Sequence, residues 1–126
     1  MERWFAQAKA DLKTARDCWK SRNFYACVFF CQQAVEKALK AFFIHKKRKM
    51  HPKTHDLTEL VSELGLKKFE KIARKLTPEF VVTRYPDAAN GIPFMLYDSE
   101  DCKRALRDAN RVIKWVEEKL KSKTKK

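Results

Sequence analysis

The chain has 126 residues, of which 44% are hydrophobic, and we expect one domain over residues 1–126 with a single buried core. Only 2 glycines and 4 prolines are present, which excludes an all-β fold with many tight turns and favours long helices. The formal net charge of +13 indicates polyanionic partners such as nucleic acid, nucleotides or an acidic protein. Because the sequence opens on a charged amphipathic pattern and has no run of about 18 apolar residues, we expect a cytoplasmic protein without a membrane span.

Two long amphipathic helices are predicted in the first half of the chain. Apolar side chains at helical spacing predict a first helix over about residues 2–20: Trp4, Phe5, Ala8, Leu12, Ala15 and Trp19. Ser21 can cap a second helix that continues to about residue 46, with the stripe Phe24, Val28, Cys31, Val35, Ala38, Leu39 and Phe42. Phe29, Phe30 and Phe43 widen this stripe, so the second helix is expected to be central.

The middle of the chain predicts a basic loop and two short helices. Crowded positive charge and Pro52 end the second helix in the exposed segment 45–52. Thr54, or His55 with Asp56, can then cap a short helix that Gly65 stops. A further short helix is predicted over about residues 67–76.

Residues 77–94 hold three of the four prolines and show little helical period, which predicts a long ordered or semi-ordered loop. A strand at residues 80–82 would have no partner. Asp98 or Ser99 caps the last helix, whose stripe is Cys102, Ala105, Leu106, Ala109, Val112, Ile113, Val116 and Leu120. The basic segment 119–126 is expected to be a disordered tail. These elements predict an all-α, up-and-down four-helix bundle with an additional short helix and a long loop before the last helix.

The cysteines Cys18, Cys27, Cys31 and Cys102 show no CxxC spacing and no clustering with histidine. We therefore expect no metal site and interpret them as small buried hydrophobic residues. The high Lys and Glu content is also typical of thermophile proteins, in which an intracellular disulfide is found.

Four motifs follow one another along nearly the whole chain: Trp4-Phe5 with Ala8, Asp11-Leu12 and Ala15; residues 29–41, FFCQQAVEKALKA; Thr54-His55-Asp56-Leu57; and Arg84-Tyr85-Pro86-Asp87. In this order they resemble the prokaryotic HEPN domain. The resemblance implies a bundle of about five helices that is frequently dimeric and often encoded beside a minimal nucleotidyltransferase. It also implies that some relatives are metal-independent ribonucleases of toxin-antitoxin systems.

The central helix carries a polar ridge, in which Gln33 and Lys37 share one strip and Gln32, Glu36 and Lys40 share the next. If the ridge is buried, each of its polar groups must find a hydrogen-bond partner. Two interpretations stay open: an internal network, or a ligand-binding surface that uses Gln33, Glu36, Lys37 and Lys40.

Ribonucleases of the resembled family carry an arginine and a histidine separated by four to six residues. Arg48 and His55 match this spacing, but a basic chain produces such matches by chance, and no histidine follows Arg84 at that spacing. We therefore predict a non-catalytic or weakly catalytic protein, with Arg48 and His55 as reserve catalytic residues. His55 has two other interpretations, namely orienting a helix start or loop carbonyl, and contacting a nucleotide or phosphate.

The motif Arg84-Tyr85-Pro86-Asp87 offers a guanidinium for phosphate and a ring for stacking on a base. Arg84, Tyr85 and Asp87 are therefore candidate ligand-binding residues. Equally, Arg84 can clamp its loop to the bundle, with Glu36 or Asp87 as its partner.

The densest positive patch outside the tail is the run Lys46, Lys47, Arg48 and Lys49. It predicts either salt-sensitive phosphate contacts or a solvated loop. Altogether the sequence predicts a HEPN module that binds nucleotide or RNA phosphate, needs no cofactor, forms a homodimer and acts with a nucleotidyltransferase. The alternative is a metal-independent ribonuclease toxin.

Overall fold

The computed structural model describes residues 2–122, and the regular secondary structure in that range is entirely helical. Its α-helices are α1 Glu2–Lys20, α2 Phe24–Lys47, α3 Leu57–Leu64, α4 Glu70–Leu76, α5 Glu79–Val82, α6 Pro86–Ala89, α7 Pro93–Leu96 and α8 Ser99–Ser122, with a 3-10 turn at Lys67–Phe69. The predicted all-α class and the extents of the long helices are confirmed. No helix in the described part of the chain is both long and apolar enough to cross a membrane.

The helix α2 is the centre of the bundle and contacts α1, α3, α5, α7 and α8. A tight turn at residues 21–23 reverses the chain, so α1 packs antiparallel to α2. The helix α8 runs parallel to α2, since Cys102 is bonded to Cys27 near the start of α2 and Trp115 packs on Phe42 near its end. The short helices α3 and α4 pack together and complete the predicted four-helix arrangement.

Local capping signals fix the helix ends. The Asp56 side chain accepts from the Thr58 amide at 2.9 Å and begins α3, and Gly65 ends it at a φ of 69°. The Thr58 hydroxyl also donates to Asp56, which lowers the pKa of that carboxyl. At the start of α8, Asp98 and Asp101 each accept from the other's backbone amide at 2.9 Å. Of the two caps that the sequence left open, Asp98 and Ser99, Asp98 therefore occupies this position.

The segment 77–94 differs from the predicted loop, because it folds into the single helical turns α5, α6 and the start of α7. Pro86 and Pro93 occupy the first turns of α6 and α7, where a missing amide proton costs no hydrogen bond. Residues 80–82 are helical. Prolines that suggested irregular structure thus begin short helices.

The expected disordered tail does not begin at residue 119, since α8 continues to Ser122. Leu120 packs against the core. Lys119 and Lys121 lie in the last turn, where positive charge interacts favourably with the helix dipole. The rest of the predicted tail, residues 123–126, lies outside the described residues.

A disulfide joins Cys27 of α2 to Cys102 of α8, with Cα atoms 5.9 Å apart. The burial of both residues agrees with the sequence interpretation. The composition only hinted at a disulfide and did not indicate which cysteines pair. Closing a loop with a sequence separation of 75 stabilises the fold by about 4 kcal/mol in the chain-entropy description. Burial raises the pKa of the free Cys31 thiol and makes it unreactive.

A buried ion pair on the central helix joins two residues that are one turn apart. Lys40 Nζ is 2.9 Å from Glu36 Oε2, and each side chain is only 6% exposed. Both groups are desolvated, so the pair depends on good geometry and additional hydrogen bonds. Glu36 has these additional bonds, from Gln32 at 3.1 Å and from the His55 ring.

We predict that Glu36→Leu lowers the free energy of unfolding by about 3–5 kcal/mol, because it leaves the Lys40 ammonium buried without its carboxylate. Adding Lys40→Met should recover most of this loss, since both buried charges are then removed. Urea unfolding measures both effects. The matched control is Asp17→Leu, which breaks the exposed pair with Lys13 at the same helical spacing and should cost less than about 1 kcal/mol. Equal losses for the two single changes would contradict the prediction.

Candidate functional site

The polar ridge of α2 takes part in two hydrogen-bond networks, which Gln32 joins. At its α1 edge, Lys37 Nζ lies 2.6 Å from Asp11 Oδ2 and 3.0 Å from Gln33 Oε1. Gln33 in turn donates to Gln32 Oε1 at 2.8 Å. Asp11 and Gln32 are buried, so these bonds satisfy polar groups inside the bundle. Gln33 and Lys37, two of the predicted ligand-binding residues, therefore form an internal network between α1 and α2.

The second network holds His55 in place. Its Nδ1 lies 3.1 Å from both carboxylate oxygens of Glu36, and its ring stacks on Phe80 with centroids 3.7 Å apart. Gln32 bonds to the His55 carbonyl at 3.4 Å. When Nδ1 donates its proton to Glu36, Nε2 is left with a lone pair. The His55 side chain is 55% exposed, so this nitrogen belongs to a group that is both oriented and accessible.

A cleft of about 400 Å³ opens beside His55. Its lining consists of Trp4, Lys40, Met50, His51, Lys53, Thr54 and His55. His51 packs edge-on against Trp4 at 4.4 Å, and its Nδ1 bonds to the Pro52 carbonyl at 2.9 Å. Its Nε2 is buried without a hydrogen-bond partner among the described residues. The cleft thus combines an indole ring, two lysines, two histidines and one unsatisfied polar atom, which is chemistry suited to an anionic aromatic ligand.

The charged groups of this cleft lie at different depths. Lys40 is neutralised by Glu36 at the base of the cleft, and its Nζ also lies 5.6 Å from the Trp4 ring centre. Lys53 is exposed at the cleft and has no carboxylate within 4 Å among residues 2–122. The rim is therefore cationic, while the buried acid serves to hold His55 and Lys40.

Arg84 clamps its segment to the bundle through aromatic rings. Its guanidinium lies 4.4 Å from the ring centre of Phe80, 5.2 Å from that of Phe29 and 4.9 Å from that of Tyr85, and its Nε donates to the Phe80 carbonyl at 2.8 Å. The sequence suggested Glu36 or Asp87 as the partner of such a clamp, and this part of the prediction was wrong. Glu36 bonds Lys40 and His55 instead.

The remaining candidates of this segment lie at the surface. Tyr85 is 50% exposed, and Asp87 is exposed in the first turn of α6. Phe80 stacks on the His55 ring and also lies against the Arg84 guanidinium, so Arg84 supports the position of His55 through Phe80. Phe80 is thus a link between the two motifs that sequence spacing did not reveal.

The predicted basic patch surrounds the end of α2. Lys46 donates to the Leu64 carbonyl at 3.3 Å, while Lys47 and Lys49 are exposed. Arg48 ends α2 in the left-handed conformation at a φ of 56°. It follows Glu36, the partner of His55, by twelve residues, which is about 18 Å along the helix axis. Arg48 is not part of the lining of the cleft beside His55.

Trp4 lines the cleft, although sequence reasoning did not identify it as a site residue. Trp4 was assigned to the core stripe of α1, and the structure leaves it half-buried beside the loop after α2. Only the contact between the first turn of α1 and residues 51–55 reveals its position. No cluster of three or more His, Cys, Asp or Glu side chains suited to a metal ion occurs in residues 2–122.

Comparison with known proteins places these features in a family. Residues 1–119 match the HEPN domain. The chain is 28% identical to the candidate toxin MJ1304 of Methanocaldococcus jannaschii, over 93% of this chain and 86% of that protein. It superposes on the crystal structure of TT1696 from Thermus thermophilus with a TM-score of 0.84 and 28% identity, over 94% of this chain and 96% of that one.

A second solved structure, ST0689, is described as an archaeal HEPN homologue. It gives a TM-score of 0.81 with 26% identity, over 94% of this chain and 95% of that one. The family match covers nearly the whole chain, and the fold agrees with these structures over almost their entire lengths. The chain therefore belongs to the HEPN family.

Proposed function

We propose that this protein is a HEPN module that binds the phosphate of a nucleotide or RNA in the His55 cleft. The observation that carries the proposal is the buried Glu36 carboxylate, which fixes His55 beside an exposed lysine and an indole ring. In the bound state, Lys53 contacts the phosphate, the lone pair of His55 Nε2 accepts from a ribose hydroxyl, and Trp4 contacts the base.

We further propose that the module acts with a minimal nucleotidyltransferase in a toxin-antitoxin-like pair. The family resemblance in the sequence implies such a partner, and the relative from Methanocaldococcus jannaschii is named as a candidate toxin. The basic run Lys46–Lys49 lies next to the cleft, since Met50 and His51 that follow it belong to the cleft lining. A cationic surface of this kind attracts RNA or an acidic partner over a long range.

The second candidate function is metal-independent RNA cleavage, and one observation favours it. A carboxylate that holds a histidine by one nitrogen and leaves the other available is the arrangement of a general base. The composition of the cleft argues against it, because no arginine lines the cleft to stabilise the phosphate charge.

We predict that binding of adenosine monophosphate and of short RNA weakens steeply with salt. His55→Ala and Lys53→Ala should each lower affinity about tenfold, which corresponds to about 1.4 kcal/mol.

Removing the charges of Lys46, Lys47 and Arg48 together should weaken binding to the same extent for RNA of any sequence. Isothermal titration calorimetry measures these affinities, with Lys13→Ala on the opposite part of α1 as the control. Full affinity in the His55 and Lys53 variants would place the ligand elsewhere.

We also predict no robust cleavage of RNA in the presence of a chelator. General acid-base help is worth roughly 10²–10⁴ in rate, and the cleft lacks a guanidinium to act with it. The measurement is the appearance of RNA fragments with a 2',3'-cyclic phosphate end. If such cleavage appears, and Arg48→Ala and His55→Ala each abolish it, the ribonuclease alternative is established. If only Arg84→Ala abolishes the cleavage, the cleaving site lies in the α5–α6 segment.

We propose that two copies pair through α7. The sequence suggested surplus apolar surface on the first two helices, but Phe42 and Phe43 are buried, whereas Phe94 and Met95 are 63% and 67% exposed. Residues 80–97 contain one Arg and one Asp, so this face is neutral on a molecule of net charge +13. Two strongly basic copies can approach there with the least repulsion.

Light scattering at about tens of micromolar should therefore show a dimer for the wild-type protein. Phe94→Asp with Met95→Asp should give a monomer, because each change would bury a charge in the apolar contact. Met50→Asp alters an equally exposed apolar residue on another surface, at 68% exposure, and should leave the dimer intact. A wild-type monomer, or a dimer that survives the α7 changes, would contradict this interface.

A further inference from the structure

A second cationic and aromatic surface lies on α8, away from the His55 cleft. Lys68, Arg111, Lys114 and Trp115 line a shallow cleft of about 290 Å³ together with Phe69 and Glu118. Lys119 extends it, with Nζ 5.4 Å from the Trp115 ring centre. We name these residues the Trp115 surface. It contains four cations and one carboxylate, Glu118.

The four cations of this surface lack partners of opposite charge. Within residues 2–122, none of the four has a carboxylate within 4 Å. Lysines elsewhere on the molecule do, for example Lys9 with Glu117 and Lys103 with Glu100. Clustered cations without counter-charges repel one another, and phosphate groups relieve that repulsion.

The indole ring at the centre is held rigidly. Trp115 packs edge-on against Phe42 at 5.0 Å and against Phe69 at 5.5 Å. It remains half-buried, and Lys68 lies over it at 4.5 Å from the ring centre. A fixed aromatic ring among cations is the combination by which proteins bind single-stranded nucleic acid, since the ring stacks on a base and the cations contact the backbone.

The two surfaces lie on different sides of the same helix. Lys40 lines the His55 cleft and Phe42 supports Trp115, and positions two residues apart on an α-helix point about 200° apart. The helix with its side chains is about 10–12 Å across. The basic residues 46–49 lie at the end of α2, between the two sides. Cationic side chains thus lie at both surfaces and at the end of α2.

We propose that one extended RNA strand runs from the His55 cleft over residues 46–49 to the Trp115 surface. The ligand is then single-stranded RNA, because stacking on Trp4 and Trp115 requires unpaired bases. This inference rests on the proposed phosphate binding in the cleft and adds a second contact surface to it. A mononucleotide occupies the cleft alone, whereas a longer strand uses both surfaces.

The test compares adenosine monophosphate with an unstructured oligoadenylate long enough to span both surfaces. The wild-type protein should bind the oligomer more tightly than the mononucleotide. The triple change Lys68→Ala, Arg111→Ala and Lys114→Ala should weaken oligomer binding at least about tenfold and leave mononucleotide binding within about twofold. It should also make the slope of log K against log salt less steep by about 2, at roughly 0.7 for each lost single-strand contact.

The control removes three charges at other positions, by Lys13→Ala, Lys20→Ala and Lys103→Ala, and should leave oligomer affinity nearly unchanged. Equal oligomer affinity in the two triple variants would overturn the inference, and so would equal binding of a duplex of the same length. In that case the proposed function would still stand if the wild-type protein binds the mononucleotide and His55→Ala weakens this binding. Absence of binding to either ligand would overturn both.

Discussion

The structure depends on one buried carboxylate, that of Glu36. In the middle of α2 it accepts from Lys40, Gln32 and His55, and these bonds offset the cost of removing the charge from water. The contact with His55 fixes the loop after α2 against the helix, and the cleft forms between that loop and the first turn of α1. A single residue in the core thereby sets the position of the exposed histidine that faces solvent.

The charge distribution divides the molecule into two parts. Basic side chains gather around the ends of α2 and α8, while residues 80–97 carry no net charge and expose apolar side chains such as Phe94. In the proposed function, a polyanion and a second protein copy therefore bind to separate surfaces. The internal pair of Lys37 with Asp11 and the disulfide between α2 and α8 keep the long helices in register, so both surfaces are presented on a rigid bundle.

Features encoded by neighbouring residues could be predicted from the sequence. The periodicity of α1, α2 and α8 and the capping residues Asp98 and Gly65 are local, and their positions were confirmed. Contacts between distant segments were not predictable in this way. No sequence pattern indicated that His55 stacks on Phe80 or that Glu36 bonds its ring. Residues 77–94 were misread because proline favours both loops and the first turns of helices.

The most direct measurement of the central claim is the tautomer of His55, read from the two ring nitrogens by nuclear magnetic resonance. If Glu36 orients the ring, the neutral imidazole carries its proton on Nδ1, and adding adenosine monophosphate shifts the Nε2 signal. A proton on Nε2 in the neutral ring, with both nitrogen signals unchanged by saturating nucleotide, would contradict the account.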